Sequence, residues 1–353
     1  MNKTTDSNRR LWWTMGLLAL AILLAIVIDS LSFPTETAAD AIATDTPDIS
    51  TTTADPPENA SNTVRLTILG ECAPGSPFAT TAYGSLNALA AEMGTAYFFS
   101  DLHSILAGDD LTITSNTCVF ADSADFTAFP SCAAPTSSAS VYADGGVDVV
   151  VDFAETVVEA AESTSTALTK TGITVVDGGS AQFFSYGNIR IALFSTEITK
   201  NTDHSALLTT ISETATSADY MILYFYGGEE NSHTVETWMR NALYTFADTG
   251  VDLLVGVGNG VLRPCEYYGN SVIAYSLGTV INGSQLVPEN ATALLQVDLQ
   301  TDENGNVNSE ICFLPCFVYG DSWQPTLMTE ADDIDRVHGF LSGKLQMPIE
   351  IAG

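Results

Sequence analysis

Glu229, Glu230 and His233 form the cluster of this chain whose residue types and spacing could hold a metal ion, and Glu71 and Asn116 are further polar residues at the ends of apolar runs. Glu71 closes the apolar run Val64–Gly70, Asn116 follows a second run from Leu111, and Glu229-Glu230 end a third, with His233 three residues on. Carboxylate, amide and imidazole groups on one ion can turn its bound water into a nucleophile near neutral pH, the chemistry of phosphodiester hydrolysis. The other histidines, His103, His204 and His338, stand in helix-like or polar connecting segments and read as solvated or capping residues. Glu71 has a second reading, a strand-end carboxylate that accepts backbone amides. Gly258-Asn259-Gly260 also has two: a turn that uses positive φ, or small residues that leave a pocket open to a ligand.

The segments that must position these residues are legible from their apolar runs. Tyr220–Tyr226 is an aromatic-rich run bounded by Gly227-Gly228, Val251–Gly256 follows a helix-like stretch ending at Asp248-Thr249-Gly250, and Val272–Gly278 comes after a loop. Such glycine-bounded runs are buried strands, and the ends of strands in α/β proteins are where sites are built. Strands are predicted over about 64–70, 111–115, 147–151, 173–176, 189–195, 220–226, 253–256, 272–277, 293–299 and 309–315. Helices are predicted near 83–93, 155–170, 204–217 and 232–247. Alternation first and strands last predicts an α/β sandwich that finishes in antiparallel strands. The sequence contains no internal repeat.

This order resembles the bacterial CapA family of capsule and poly-γ-glutamate synthesis proteins, whose domain is similar to calcineurin-like metallophosphoesterases. The family pattern runs alanine-aspartate, apolar strand, His-Trp-Gly-x-Glu, helix, Asp-x-Gly-x-Asp, strand, Gly-His-His-Pro-His and Tyr-Ser-Leu-Gly-Asn. This chain has Ala218-Asp219, then Phe225-Tyr226-Gly227-Gly228-Glu229, Asp248-Thr249-Gly250-Val251-Asp252, Gly256-Val257-Gly258-Asn259-Gly260 and Tyr275-Ser276-Leu277-Gly278-Thr279. The frame is kept and its histidines are replaced. Glu71 stands where the family's first strand supplies an aspartate. Asn116 is kept from Asn-Leu-Glu with Cys118 at the glutamate, and Asp152-Phe153-Ala154-Glu155 replaces Ala-Asn-Asn-His. The resemblance implies a metallophosphoesterase-like αββα sandwich over residues 63–320. It also implies a vestigial pocket of Glu71, Asn116, Phe225, Glu229, Gly258, Asn259 and Gly260, with no metal and no cofactor. It further implies that Cys72 and Cys118 follow parallel strands at the site-facing edge and could meet there.

Composition frames the function. The chain has 353 residues, 46% of them hydrophobic, and 11 basic against 43 acidic residues give a net charge of −32. Such a body repels nucleic acid and anionic membrane surfaces, and tight electrostatic binding of an anionic polymer is disfavoured for the same reason. Residues 1–10 carry Lys3, Arg9 and Arg10 ahead of an apolar segment, 11–29, whose eighteen residues Leu11–Ile28 span about 27 Å as a helix. This predicts a cytoplasmic N-terminus, a single-pass anchor in the cell membrane and an extracellular body. Ser30-Leu31-Ser32 offers a cleavage site, while the length of the apolar run favours an uncleaved anchor. Residues 30–62, rich in Thr, Ala, Asp and Pro, read as a disordered acidic linker. Residues 321–353 read as a solvated acidic tail, since Glu330, Asp332, Asp333 and Asp335 do not have the spacing of an EF-hand loop.

Six cysteines in an extracellular domain predict disulfides. Cys312 and Cys316, four apart in a strand, would stand about 13 Å apart and cannot pair with each other; either is open to pairing with Cys265. A zinc site would need a C-x2-C pair that the chain lacks. The resemblance implies a non-catalytic component in envelope-polymer synthesis, export or attachment, with proteins of that machinery as partners. Two other readings stay open: a hydrolase with Glu71, Asn116, Glu229 and His233 on one metal, and a surface module that binds a neutral or cationic ligand.

Overall fold

The computed structural model describes residues 63–122, 132–154, 158–283, 291–318 and 322–346, with the backbone alone for 158–161. In chain order these form β1 (Thr63–Ala73), α1 (Leu86–Met93), α2 (His103–Leu106), β2 (Leu111–Asn116), β3 (Val119–Phe120), β4 (Ala133–Ala134), α3 (Ser140–Gly145), β5 (Val149–Asp152), α4 (Val158–Lys170) and β6 (Thr174–Val176). There follow β7 (Gln182–Tyr186), β8 (Ile189–Glu197), α5 (Ser205–Thr214), β9 (Tyr220–Tyr226), α6 (Thr237–Asp248), β10 (Leu253–Val257), β11 (Leu262–Tyr268) and β12 (Ser271–Leu277). The chain ends in β13 (Thr279–Asn282), β14 (Ala291–Thr301), β15 (Val307–Val318), β16 (Pro325–Leu327) and α7 (Ala331–Leu341). Each predicted strand and helix is present, and the α/β expectation holds.

The strands make an eight-stranded sheet, ordered β16-β15-β14-β1-β2-β5-β6 with β13 also pairing β1, and a six-stranded sheet ordered β11-β12-β10-β9-β8-β7. One apolar core lies between the sheets, built from Leu66, Ile68 and Ile113 on one side and Ile222, Leu253 and Val255 on the other. The far face of the larger sheet packs on α1, α3 and α4 through Leu86, Tyr142 and Leu168. The far face of the smaller packs on α5 and α6 through Ile211, Met239 and Phe246. Strands covered on both faces need apolar side chains in succession, which is why β9 reads Tyr-Met-Ile-Leu-Tyr-Phe without alternation. The hydroxyl of fully buried Tyr224 crosses the central core to lie 3.0 Å from the Leu69 carbonyl and 3.2 Å from that of Ile113, tying β9 to β1 and β2.

Four aspartates have a shared structural task at the starts of the strands. Asp110 accepts the Arg65 N–H at 2.8 Å and returns its own N–H to the Arg65 carbonyl at 2.9 Å. Asp148 does the same with Thr112, Asp219 with Arg190 and Asp252 with Met221, with carboxylate contacts of 2.8, 2.7 and 2.7 Å. Each closes a parallel ladder where a strand-end N–H would otherwise lack a partner.

Two expectations are corrected. The acidic stretch beyond Pro325 is folded: β16 pairs with β15, and α7 buries Val337, Phe340 and Leu341 against the central core. Its acids, Asp332 and Asp333, occupy the first turn, where negative charge favours a helix. Its His338 is buried, with Nε2 2.9 Å from the Phe313 carbonyl. The cysteines also miss their expected partners, and all six are free thiols here. Cys72 lies 3.2 Å from Thr114 Oγ1, while Cys118 stands opposite Cys132 in the register of β3 and β4. Alternation along β15 places Cys316, and Cys312 with it, on the outer face, whereas Cys265 is in the central core, so Cys265 meets neither. The expected anchor and linker, residues 1–62, lie outside the described residues, among which no helix is long and apolar enough to cross a membrane.

Two outcomes follow from this packing. Phe340→Ala should lower the free energy of unfolding by about 3 kcal/mol, read from urea midpoints; no change would mean that α7 contributes nothing to the core. Burial pushes the carboxyls of Asp109 and Asp252 up to about 6, against about 3.9 in an unfolded chain. Between those values the native state keeps protons that the unfolded chain has released, so stability should rise as pH falls from 7.5 to 5. His204, held below its ordinary value by burial, opposes the trend. Asp252→Asn should therefore reduce the difference between urea midpoints at the two pH values, and an unchanged difference would exclude Asp252 as a source.

Candidate functional site

The carboxyl ends of β1, β2 and β5 meet those of β9 and β10 along one edge of the sandwich. Glu71, at a bulge near the end of β1, reaches over to the smaller sheet. Its carboxylate accepts the Thr117 hydroxyl at 2.9 Å and the Gly258 N–H at 3.1 Å. Burial raises its pKa, an effect the two hydrogen bonds oppose. In this structure Glu71 is a strand-end carboxylate that accepts a backbone amide.

Asn116 ends β2 with its amide fully engaged. Nδ2 donates to the Cys118 carbonyl and to Asp152 Oδ1, both at 2.8 Å, and Oδ1 accepts the Tyr142 hydroxyl at 2.8 Å and the Cys118 N–H at 3.2 Å. Asp152, at the end of β5, is raised in pKa by burial, against its bonds from Asn116 and the Ala154 N–H. The next residue, Phe153, sets its ring 5.6 Å from that of Tyr226 across the gap between the sheets. Sequence reasoning missed Asp152, Phe153 and Tyr226 as members of this edge, although Asp152 breaks an apolar run at a strand end.

Phe225 does not line the edge. Its side chain is fully buried on the helix side of the smaller sheet, among Phe194, Met239 and Leu243. Tyr226, one residue on, has the opposite facing. Gly258 accommodates it: at φ +95°, a Cβ there would stand 2.5 Å from the Tyr226 ring. Asn259 is buried, with Nδ2 on the Ser232 carbonyl at 3.2 Å, and the Gly260 carbonyl accepts Thr279 Oγ1 at 3.2 Å. This stretch is thus a turn held by its neighbours.

Glu229 and His233 belong to a loop organised by Arg263, a fully buried side chain on β11. Its guanidinium donates to the Ser232 carbonyl at 2.9 Å, the Glu229 carbonyl at 3.1 Å and the Glu236 carboxylate at 2.9 Å. Glu236 in turn accepts the Glu229 N–H at 2.6 Å. Glu229 therefore contributes backbone to the clamp and leaves its residue exposed. His233 Nδ1 lies 2.7 Å from the Leu262 carbonyl, with its ring edge against Phe340. The Arg263–Glu236 pair was missed in sequence; its signal was a lone arginine within an apolar strand.

The profile described as "Bacterial capsule synthesis protein PGA_cap" matches residues 65–284, more than half of the chain. The chain belongs to the PGA_cap family. Over 103 residues it is 29% identical to the PGA biosynthesis protein CapA of Bacillus subtilis strain 168, a match that covers 29% of this chain and 27% of that protein. Among solved structures, a hypothetical protein from Thermus thermophilus superposes with a TM-score of 0.47 at 13% identity, over 71% of this chain and 98% of the other. TT1561 from the same organism gives 0.39 at 9% identity, over 70% and 98%.

A metallophosphoesterase-like frame would place metal ions at this edge, and the residues this chain has there are not gathered to hold them. Both Glu71 oxygens and the whole Asn116 amide are occupied by protein groups. Glu229 gives its backbone to the Arg263 clamp and is itself exposed, and His233 Nδ1 is held at the Leu262 carbonyl. Among the described residues no group of three or more His, Cys, Asp and Glu is arranged to hold a metal ion. The set Glu71, Asn116, Glu229 and His233 is not assembled, and no catalytic step is derived through a metal here.

The clamp can be tested directly. Arg263→Met leaves the Glu236 carboxylate and two carbonyls without their cation. Removing one partner of a buried pair costs about 3 kcal/mol or more. Urea unfolding should register that loss, and a variant as stable as the parent would show the clamp to be dispensable.

Proposed function

We propose that this PGA_cap protein is a membrane-anchored, outward-facing component of capsule or poly-γ-glutamate-type polymer synthesis, export or attachment, and that it carries out no metal-dependent step. In this reading the body is a metallophosphoesterase-like αββα sandwich whose vestigial pocket has become part of the scaffold. The observation that carries it is the use made of Glu71: the carboxylate at the ligand position is a cross-sheet brace from Thr117 to the Gly258 amide. The apolar segment Leu11–Ile28 behind Lys3, Arg9 and Arg10 supports the anchor and its orientation. The name of the Bacillus subtilis relative supports the polymer pathway.

A net charge of −32 favours proteins of the polymer machinery over the anionic polymer itself as direct partners, and disfavours nucleic acid. The test is the metal content of the full chain after incubation with manganese, zinc and calcium and then desalting, together with turnover of a phosphodiester. Far less than one ion per chain and no turnover are expected. Near-stoichiometric manganese or zinc that is lost in Glu71→Ala would overturn the reading and restore an enzyme.

A further inference from the structure

We propose that Cys118 and Cys132 are a disulfide site that staples the corner beside Glu71 and Asn116. β3 and β4 pair in parallel with Val119 opposite Ala133 and Phe120 opposite Ala134, so the preceding residues, Cys118 and Cys132, stand opposite each other. The Val119 N–H donates to the Cys132 carbonyl at 3.2 Å, which fixes the two strands in this register. Neighbouring strands lie about 4.8 Å apart, inside the roughly 4.4–6.8 Å between Cα atoms that a disulfide spans. In-register residues of a parallel pair also point to the same side.

The corner holds both cysteines in place. Ser76 and Ala133 exchange two backbone hydrogen bonds of 3.0 Å, and Asn87 Nδ2 donates to the Ala133 carbonyl at 3.1 Å. Gly75 leaves the room the sulfur needs, since a Cβ there would stand 2.4 Å from Cys118 Sγ. Asn116 holds the Cys118 backbone on both sides, by its N–H and by its carbonyl. The bond would therefore brace the strand-end network at the position where the family pattern has a glutamate. Cys72 is turned to Thr114, Cys265 lies in the central core, and Cys312 and Cys316 are on β15.

The oxidant is a disulfide carried by a small thiol or by an oxidoreductase. The thiolate of one cysteine attacks a sulfur of that disulfide, forming a mixed disulfide and releasing one carrier thiol. The second cysteine, having lost its proton, then displaces the other carrier sulfur as a thiolate. Both electrons leave with the two carrier thiols. Cys118 is fully buried and Cys132 is 7% exposed, so the exchange belongs to the folding chain, before the corner closes.

The test is to refold the reduced, denatured full chain in a mixture of reduced and oxidised glutathione, block free thiols, and map peptides without reductant. A second map uses the chain secreted through an oxidising compartment. The expected result in both is a Cys118–Cys132 cross-link with Cys72, Cys265 and Cys316 blocked as thiols. A melting temperature lowered by reductant in the parent, and insensitive to it in the Cys118→Ser/Cys132→Ser double variant, is the expected companion. Folded chain with Cys118 and Cys132 both blocked, or either joined to a different cysteine, would overturn the proposal.

Discussion

The site edge depends on one contact between two glycines. A Cβ on Gly70 would stand 2.1 Å from the Gly278 carbonyl oxygen, and Gly278 itself sits at φ +78°, a conformation that costs glycine little. At Gly278 the chain leaves β12 of the smaller sheet and enters β13 of the larger, so the two layers are joined through a single residue. The Glu71 N–H donates to the Gly278 carbonyl at 3.0 Å, and β13 takes over the pairing with the end of β1 from β14. This places Glu71 at the rim and points its carboxylate toward Gly258. Without the glycine pair β1 could not approach the crossover, and the brace between the sheets would have no geometry.

The same contact gives the Tyr-Ser-Leu-Gly motif its place in the fold. Ser276 Oγ accepts the Gly278 N–H at 3.1 Å, the Leu277 carbonyl accepts Thr292 Oγ1 at 2.6 Å, and Tyr275 fills the outer core while donating to Glu266. Every residue of the motif has a structural task. So do Asp110, Asp148, Asp219 and Asp252, which close ladders at the opposite end of the strands. The motif and these aspartates both serve the folding of the sandwich.

Local pattern made the strands legible, and the site depended on information that a uniformly apolar run does not hold. β9 is buried on both faces, so its sequence carries no alternation, and nothing in it told whether Phe225 or Tyr226 points to the rim. The bulge after Ile68, which sets the facing of Glu71, leaves no mark in a run of Leu, Ile and Gly. α7 was hidden differently. Its stripe Ile334, Val337, Phe340 and Leu341 has helical spacing, and four nearby acids drew attention to charge instead of period. The Cys118–Cys132 contact came from two-residue strands, shorter than any pattern can reveal.

Arg263 shows how one buried cation organises the loop after β9. In a chain with 11 basic residues, a fully buried guanidinium is retained only with several acceptors around it. Arg263 finds them in two backbone carbonyls and one carboxylate of the segment after β9. Gly228 is required there, since a Cβ would stand 2.6 Å from the guanidinium. The backbone of this segment faces inward to the arginine, so the loop takes its shape from one cation shared by two carbonyls and a carboxylate. A second positive charge beside the guanidinium would add to a buried environment with one carboxylate partner, so the single arginine sets the charge balance of the loop.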